Sequence, residues 1–389
     1  MKKIIFNTDS LIMGGAEKLA IQYVKRLVKD YQVTLLINED NGIEGNILQK
    51  DIPQEVEYKF IINKNIIANL NKYRELKKIN KYNLWYRIMY NYFLKKRRKS
   101  FKENIVKCLK DEKYDILIDF YCKVPIEITD ERTVCWLHSN IDKIENKNKE
   151  MKKFLKTKKI IVITDKMKEQ FISFFPQLEK KVIRIYNPFN IGKIKKSSID
   201  TSNLSEKEKQ LLKDSFILCC SRLDKNKDIK TLIMSFYKLK KEKKLMEKLY
   251  IAGEGPEKYN LEIFVRKLNL EKEIIFLGNQ LNPYIWMKNC KLFVHSSQKE
   301  GFGMVLVEAL INEAVIVATN CPTGPKEILK NGENGILVEV GNIFQMEKAI
   351  NEALTNINLR NTLKNRAFDR AKEFSEEKIY CQLLKILNS

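Results

Sequence analysis

Short runs rich in isoleucine and valine alternate with longer segments of helical period along most of the chain, and that alternation restricts it to parallel α/β sheets. Lys3 to Thr8 (KIIFNT) reads as a buried strand and Ser10 to Glu17 (SLIMGGAE) as a glycine turn. Ala16, Leu19, Ala20, Tyr23, Val24, Leu27 and Val28 then share one helical face before a second strand at Gln32 to Asn38. Further strands are expected at 114–120, 132–138, 158–164 and 180–190. From Ile191 to about Leu204 the text turns polar and rich in Lys and Ser, after which strands recur at 215–221, 248–252, 273–277, 291–295 and 314–319.

The expected architecture is two Rossmann-like, doubly wound domains, residues 1–190 and 213–370, joined by a linker at 191–212. Residues 371–389 are expected to form a C-terminal helix that packs back on the first domain. Ligands in such sheets bind beyond the carboxyl ends of the strands, so two domains facing each other enclose a cleft.

Charge narrows the partners. Lys and Arg exceed Asp and Glu by 72 to 49, a net +23, which calls for an anionic partner such as a phosphorylated ligand, an acidic membrane face or nucleic acid. Residues 72–113 alone hold 15 basic and 4 acidic side chains. Within them, 82–101 (YNLWYRIMYNYFLKKRRKSF) places Trp85, Ile88, Met89, Tyr92 and Phe93 on one helical face beside the cations Lys95 to Lys99, a combination suited to the headgroup zone of an anionic bilayer. The competing reading packs those aromatics against the first sheet. A nucleic-acid surface is disfavoured, because no helix-turn-helix, zinc-finger or RNP segment accompanies the charge. The 8 cysteines lack C-x-x-C spacing and no signal peptide or membrane span is evident, so a cytoplasmic, membrane-peripheral protein is expected.

The most informative segment runs from His295 to Glu327 (HSSQKEGFGMVLVEALINEAVIVATNCPTGPKE). A strand ends at His295 and a polar loop carries Glu300; Gly301 and Gly303 allow close backbone approach, and a helix begins near Gly303. The free amides of Phe302, Gly303, Met304 and Val305 would form an anion site suited to a diphosphate. Glu308, on the helix, would accept hydrogen bonds from a sugar or ribose diol. Arg222 and Lys227 (SRLDKNKD) follow directly on a strand, where they would neutralise a diphosphate leaving group. His295 is read as strand packing.

Together these segments resemble the retaining glycosyltransferases of the GT-B fold, family 4, "glycosyl transferases group 1". Glu300 and Glu308 match that family's E-x7-E motif, SRLDKNKD its arginine-and-lysine segment, and IAGEGPE, with Gly253 and Gly255, its glycine turn. FLGN, with Gly278 and Asn279, matches the segment near the nucleobase, and Gly14-Gly15-Ala16-Glu17 the glycine loop of the first domain. Asn312-Glu313-Ala314 and Cys321-Pro322-Thr323-Gly324-Pro325 depart from the usual pattern, in a form similar to the branch working on bacterial surface polysaccharide and lipopolysaccharide.

The resemblance implies transfer of a hexose or N-acetylhexosamine from a nucleotide diphosphate sugar, UDP by family precedent, to a lipid-linked or glycan acceptor. It implies retention by a front-face path, in which Arg222, Lys227 and the helix amides stabilise the leaving group. Glu308 would hold the ribose, Glu300 the donor sugar, and His138 would face that sugar. No D-x-D occurs and only 2 histidines are present, so neither a divalent metal nor a bound cofactor is expected beyond the nucleotide sugar itself. A GT-B relative such as a nucleotide-sugar epimerase is the alternative.

Overall fold

The computed structural model describes residues 1–12, 14–138, 141, 147–243 and 245–388. Two compact units emerge, the first formed by Met1–Ile163, Met167–Ile185 and Leu383–Ser389, the second by Thr164–Lys166 and Tyr186–Gln382. Each unit is built on one parallel sheet.

The first sheet holds β1 (Lys3–Thr8), β2 (Gln32–Glu39), β3 (Glu57–Ile62), β4 (Ile116–Asp119), β5 (Thr133–Leu137), β6 (Lys159–Val162) and β7 (Val182–Arg184). Their order is β3-β2-β1-β4-β5-β6-β7, every neighbouring pair being parallel. Strands covered on both faces must be apolar throughout, and Ile4, Ile5 and Phe6 of β1 and Leu117 and Ile118 of β4 are wholly buried. Helix Gly15–Leu27 covers one face through Leu19, Ala20, Tyr23, Val24 and Leu27, as the periodicity requires.

The second sheet holds β8 (Phe216–Cys220), β9 (Lys248–Ala252), β10 (Ile274–Gly278), β11 (Leu292–His295), β12 (Ile316–Thr319) and β13 (Ile336–Val338), in the order β10-β9-β8-β11-β12-β13. All of its pairs are parallel as well. In each sheet the strand order reverses once, between β1 and β4 and between β8 and β11. Beyond the carboxyl end of such a reversal the flanking connections diverge to opposite faces and open a crevice.

The segment expected as a linker instead contains two short helices, Ile191–Ser197 and Glu206–Leu211, inside the second unit. The second of these is closed by a capping box between Ser205 and Glu208, a local signal within a Lys/Ser-rich text. The C-terminal helix Glu376–Asn388 divides between the units at Leu383, and Tyr31 donates a hydrogen bond to Asn388.

Residues 64–111 form a helical hairpin, Lys64–Ile79 and Leu84–Asp111, whose helix starts are fixed by the Asn63 and Asn83 side chains accepting from first-turn amides. The aromatic face expected within it splits in two. Phe93 stacks on Tyr73 of the neighbouring helix, whereas Trp85 is 59% exposed and Ile88 and Tyr92 are half-exposed. Tyr82 at the hairpin tip is 97% exposed.

Candidate active site

The reversal between β8 and β11 brings together the two segments singled out in the sequence. Leaving β8, the chain passes through Ser221 and Arg222 to a short 3-10 turn at Lys225–Lys227, fixed by the Asp224 side chain accepting from the Asn226 amide. Leaving β11, it passes through Ser296 to Glu300. Hydrogen bonds lace the loops together: Gln298 donates its amide to the Asn226 carbonyl at 2.7 Å, and Ser296 its hydroxyl to the Lys227 carbonyl at 2.7 Å.

Glycines set how closely the loops run. Gly253, at φ 137°, lies against the Ser221 carbonyl, where an added Cβ would come within 1.9 Å of the oxygen. Gly255 presses likewise on Leu223, so the glycine turn after β9 holds the Arg222 loop in place and has a packing reason independent of any ligand. Gly324, at φ 86°, lets the chain pass the Phe302 carbonyl, whose oxygen would again lie 1.9 Å from an added Cβ. The Phe302 ring is core, packed on Tyr186, Phe189 and Phe374.

At the centre, Lys227 Nζ lies 2.6 Å from Glu300 Oε1, and the same oxygen is 2.9 Å from His295 Nε2. Burial alone would push the Glu300 carboxyl up. The hydrogen bond from His295 and the Lys227 ammonium outweigh it and hold the group at about 2, so Glu300 is ionised at neutral pH. The Thr323 hydroxyl donates to the Glu300 carbonyl, tying this loop to the variant segment after β12.

Helix Met304–Ile311 starts after Gly303 in the left-handed region and has no side-chain cap, leaving its first amides without a closing side chain. Glu308 lies on this helix, and Tyr284 donates to its Oε1 at 3.5 Å. Arg222 binds Asp224, and its side chain is 74% exposed. Of the two expected cations, then, one is committed to Glu300 and the other stands at the surface. Gly278 accepts the Gly253 amide at 2.7 Å, and Asn279 beyond it is exposed.

Sequence reasoning missed His295. It is more than strand packing: the buried ring at the end of β11 lies 2.9 Å from Glu300 Oε1. Tyr284 and Thr323 were missed too, since neither belongs to a recognisable spacing.

In the first unit the corresponding reversal, between β1 and β4, carries Gly14 and Gly15 at the start of helix Gly15–Leu27, with Glu17 in its first turn. Tyr121 donates to Glu17 at 3.2 Å, and its ring lies 5.7 Å from that of His138. His138 sits against Phe120 at 4.1 Å, and burial pushes its imidazole down to about 3, so the ring is neutral. Its Nε2 is buried and has no hydrogen-bond partner among the described residues. Beneath the loop, Lys153 and Asp119 form a buried ion pair at 3.0 Å. Asp119 also accepts the amides of Lys123 and Val124, and Lys153 donates to the Cys122 carbonyl.

Two parallel sheets of Rossmann type, each with a single reversal of strand order, give the chain a GT-B fold. Residues 200–370 match the family "Glycosyl transferases group 1". Solved structures share the fold over the whole chain: Anabaena HepE in complex with UDP and glucose has TM-score 0.72 at 20% identity with 100% of both chains covered, and TarM has TM-score 0.69 at 16%, covering 100% of this chain and 99% of that one.

Among curated relatives, a Campylobacter jejuni N-acetylgalactosamine-N,N'-diacetylbacillosaminyl-diphospho-undecaprenol 4-alpha-N-acetylgalactosaminyltransferase is 37% identical over 56% of this chain and 57% of its own. A second C. jejuni protein, an alpha-1,4-N-acetyl-D-galactosaminyltransferase named for a GalNAc-containing diNAcBac-PP-undecaprenol, is 24% identical over 100% of this chain and 98% of its own. CapM of Staphylococcus aureus, a capsular polysaccharide biosynthesis glycosyltransferase, is 28% identical over 59% and 61%. The matched part thus spans little more than half the length of the first of these relatives.

Proposed function

We propose that this chain transfers an N-acetylhexosamine or hexose from a nucleotide diphosphate sugar, with UDP as the nucleotide, to a lipid-linked acceptor in bacterial surface-glycan synthesis. The observation that carries the reading is the ionised Glu300 at the β8–β11 reversal, paired with Lys227 and followed eight residues later by Glu308 on a helix with uncapped amides. Glu300 receives hydroxyls of the donor sugar and Glu308 those of the ribose. The helix amides, Arg222 and Lys227 take up the negative charge that grows on the departing diphosphate. The transfer proceeds with retention, and with fixed cations in that role it needs no divalent ion. The undecaprenol-linked substrates in the C. jejuni relatives' names support the acceptor class.

The exposed tip of the 64–111 hairpin fits the same acceptor. Tyr82, Leu84 and Trp85 are exposed at the tip and Lys95, Lys96, Arg98 and Lys99 are exposed further along the same helix, while Arg97 is drawn off by Glu39. An apolar tip with flanking cations docks on an anionic bilayer that carries the lipid. Among the described residues no helix is long and apolar enough to cross a membrane, so this contact is peripheral.

The test is transfer from a panel of nucleotide sugars to an undecaprenyl-diphosphate-linked glycan, with and without EDTA. Activity that survives chelation and is lost in Glu300→Gln and Glu308→Gln is expected. Absence of transfer from every donor, or full activity in either variant, rejects the proposal. Co-sedimentation with anionic but not neutral vesicles, lost in a Lys95→Gln, Lys96→Gln, Arg98→Gln, Lys99→Gln variant, tests the docking.

A further inference from the structure

His295 lies at the end of β11, where a packing residue would serve equally well, yet its ring is 3% exposed and, among the described residues, makes one polar contact, to Glu300 Oε1. The other ring nitrogen, Nδ1, is buried and has no hydrogen-bond partner among the described residues. A proton on Nδ1 would be a buried donor without an acceptor, which costs on the order of 1–3 kcal/mol. A proton therefore resides on Nε2, which donates to Glu300.

Glu300 Oε1 then receives two donors, Lys227 Nζ at 2.6 Å and His295 Nε2 at 2.9 Å, arriving from two different strand ends. Oε2 has no hydrogen-bond partner among the described residues. A lone lysine on a flexible stem would leave the carboxylate free to rotate and exchange its oxygens. A rigid imidazole on a strand end removes that freedom.

We infer that His295 is a positioning residue: it locks the Glu300 carboxylate so that Oε1 stays bound to the protein and Oε2 alone is presented to the donor-sugar hydroxyls. This rests on the proposed function for the identity of the sugar, but the lock itself is a property of the unliganded chain. The charged and titratable groups facing Glu300 are Lys227 from the loop after β8, His295 from β11 and Cys321 from the loop after β12. Of these only His295 and Lys227 are hydrogen-bonded to it.

The experiment compares wild type, His295→Leu and His295→Gln in the full chain, the glutamine amide being able to donate from a similar reach. Two readouts are taken. The first is carbon-13 NMR titration of labelled glutamate carboxyls, with Glu300 assigned by its loss in Glu300→Gln. The second is donor kcat and KM, together with the melting-temperature rise caused by UDP.

The Glu300 titration is expected to move up toward the ordinary carboxylate range in His295→Leu and to stay low in His295→Gln. In parallel, kcat falls about 10- to 100-fold in the leucine variant with the UDP response unchanged, and the glutamine variant recovers most of it. An unmoved Glu300 titration in a folded His295→Leu protein overturns the inference, as does a kcat within about twofold of wild type. A glutamine variant as impaired as the leucine one also overturns it, since the role would then not be hydrogen-bond donation. If wild type itself transfers no sugar, the functional reading fails while the NMR titration still decides the lock.

Discussion

Replacing Lys153 with methionine keeps the hydrocarbon stem of the side chain and removes its charge. Lys153 and Asp119 are 5% and 0% exposed, so neither ion recovers its hydration when the other is lost. Asp119 retains the amides of Lys123 and Val124, which satisfy part of its charge but do not neutralise it. Breaking a buried pair from one side costs roughly 3–5 kcal/mol. For a unit of this size that corresponds to a fall of roughly 6–20 °C in the melting temperature of the first unit, read by scanning calorimetry of the full chain. The double variant Lys153→Met, Asp119→Asn leaves no buried charge, and recovery of at least half the loss is expected. The loop bearing Tyr121 loosens in the single variant, and amide exchange at 120–124 should rise with it. A single variant within about 0.5 kcal/mol of wild type would refute the reasoning, because Asp119 would then have to be neutral or fully satisfied by its two amides.

Three further outcomes follow from the second unit and the glycine loop. Glu300 has its folded pKa depressed to about 2 from the ordinary carboxylate value, so the stability it contributes is present above the unfolded value near 4.5 and is lost as pH falls from there toward 2; acid unfolding should flatten across that window in Glu300→Gln. Gly324→Ala forces a Cβ onto the Phe302 carbonyl at a left-handed φ and should lower the second unit's stability by at least roughly 1–3 kcal/mol, measured by urea unfolding. Gly15→Ala, which meets nothing within 4 Å, should change stability by less than about 0.5 kcal/mol, so any loss of transfer in it reports on ligand approach and not on folding.

Most strands were legible because a parallel sheet covered on both faces demands continuous apolar runs, and such runs depend only on neighbours in the chain. β3 escaped because it is an edge strand whose first three residues, Glu57, Tyr58 and Lys59, are exposed, and β13 because three residues carry no period. The spacing of Glu300 and Glu308 and the order of the glycine turns were equally local.

What the chain could not declare was which distant residues the strand order would join. Lys227 and Glu300 are 73 residues apart, and only the adjacency of β8 and β11 brings the ammonium to the carboxylate instead of leaving it free beside Arg222. The β1–β4–β5 order likewise buried Lys153 against Asp119, whereas His295 meets Glu300 within one strand-and-loop segment, five residues apart. Along the backbone, periodicity fixes what each segment becomes. The energy of a charge depends on what surrounds it in three dimensions, and that the fold alone decided.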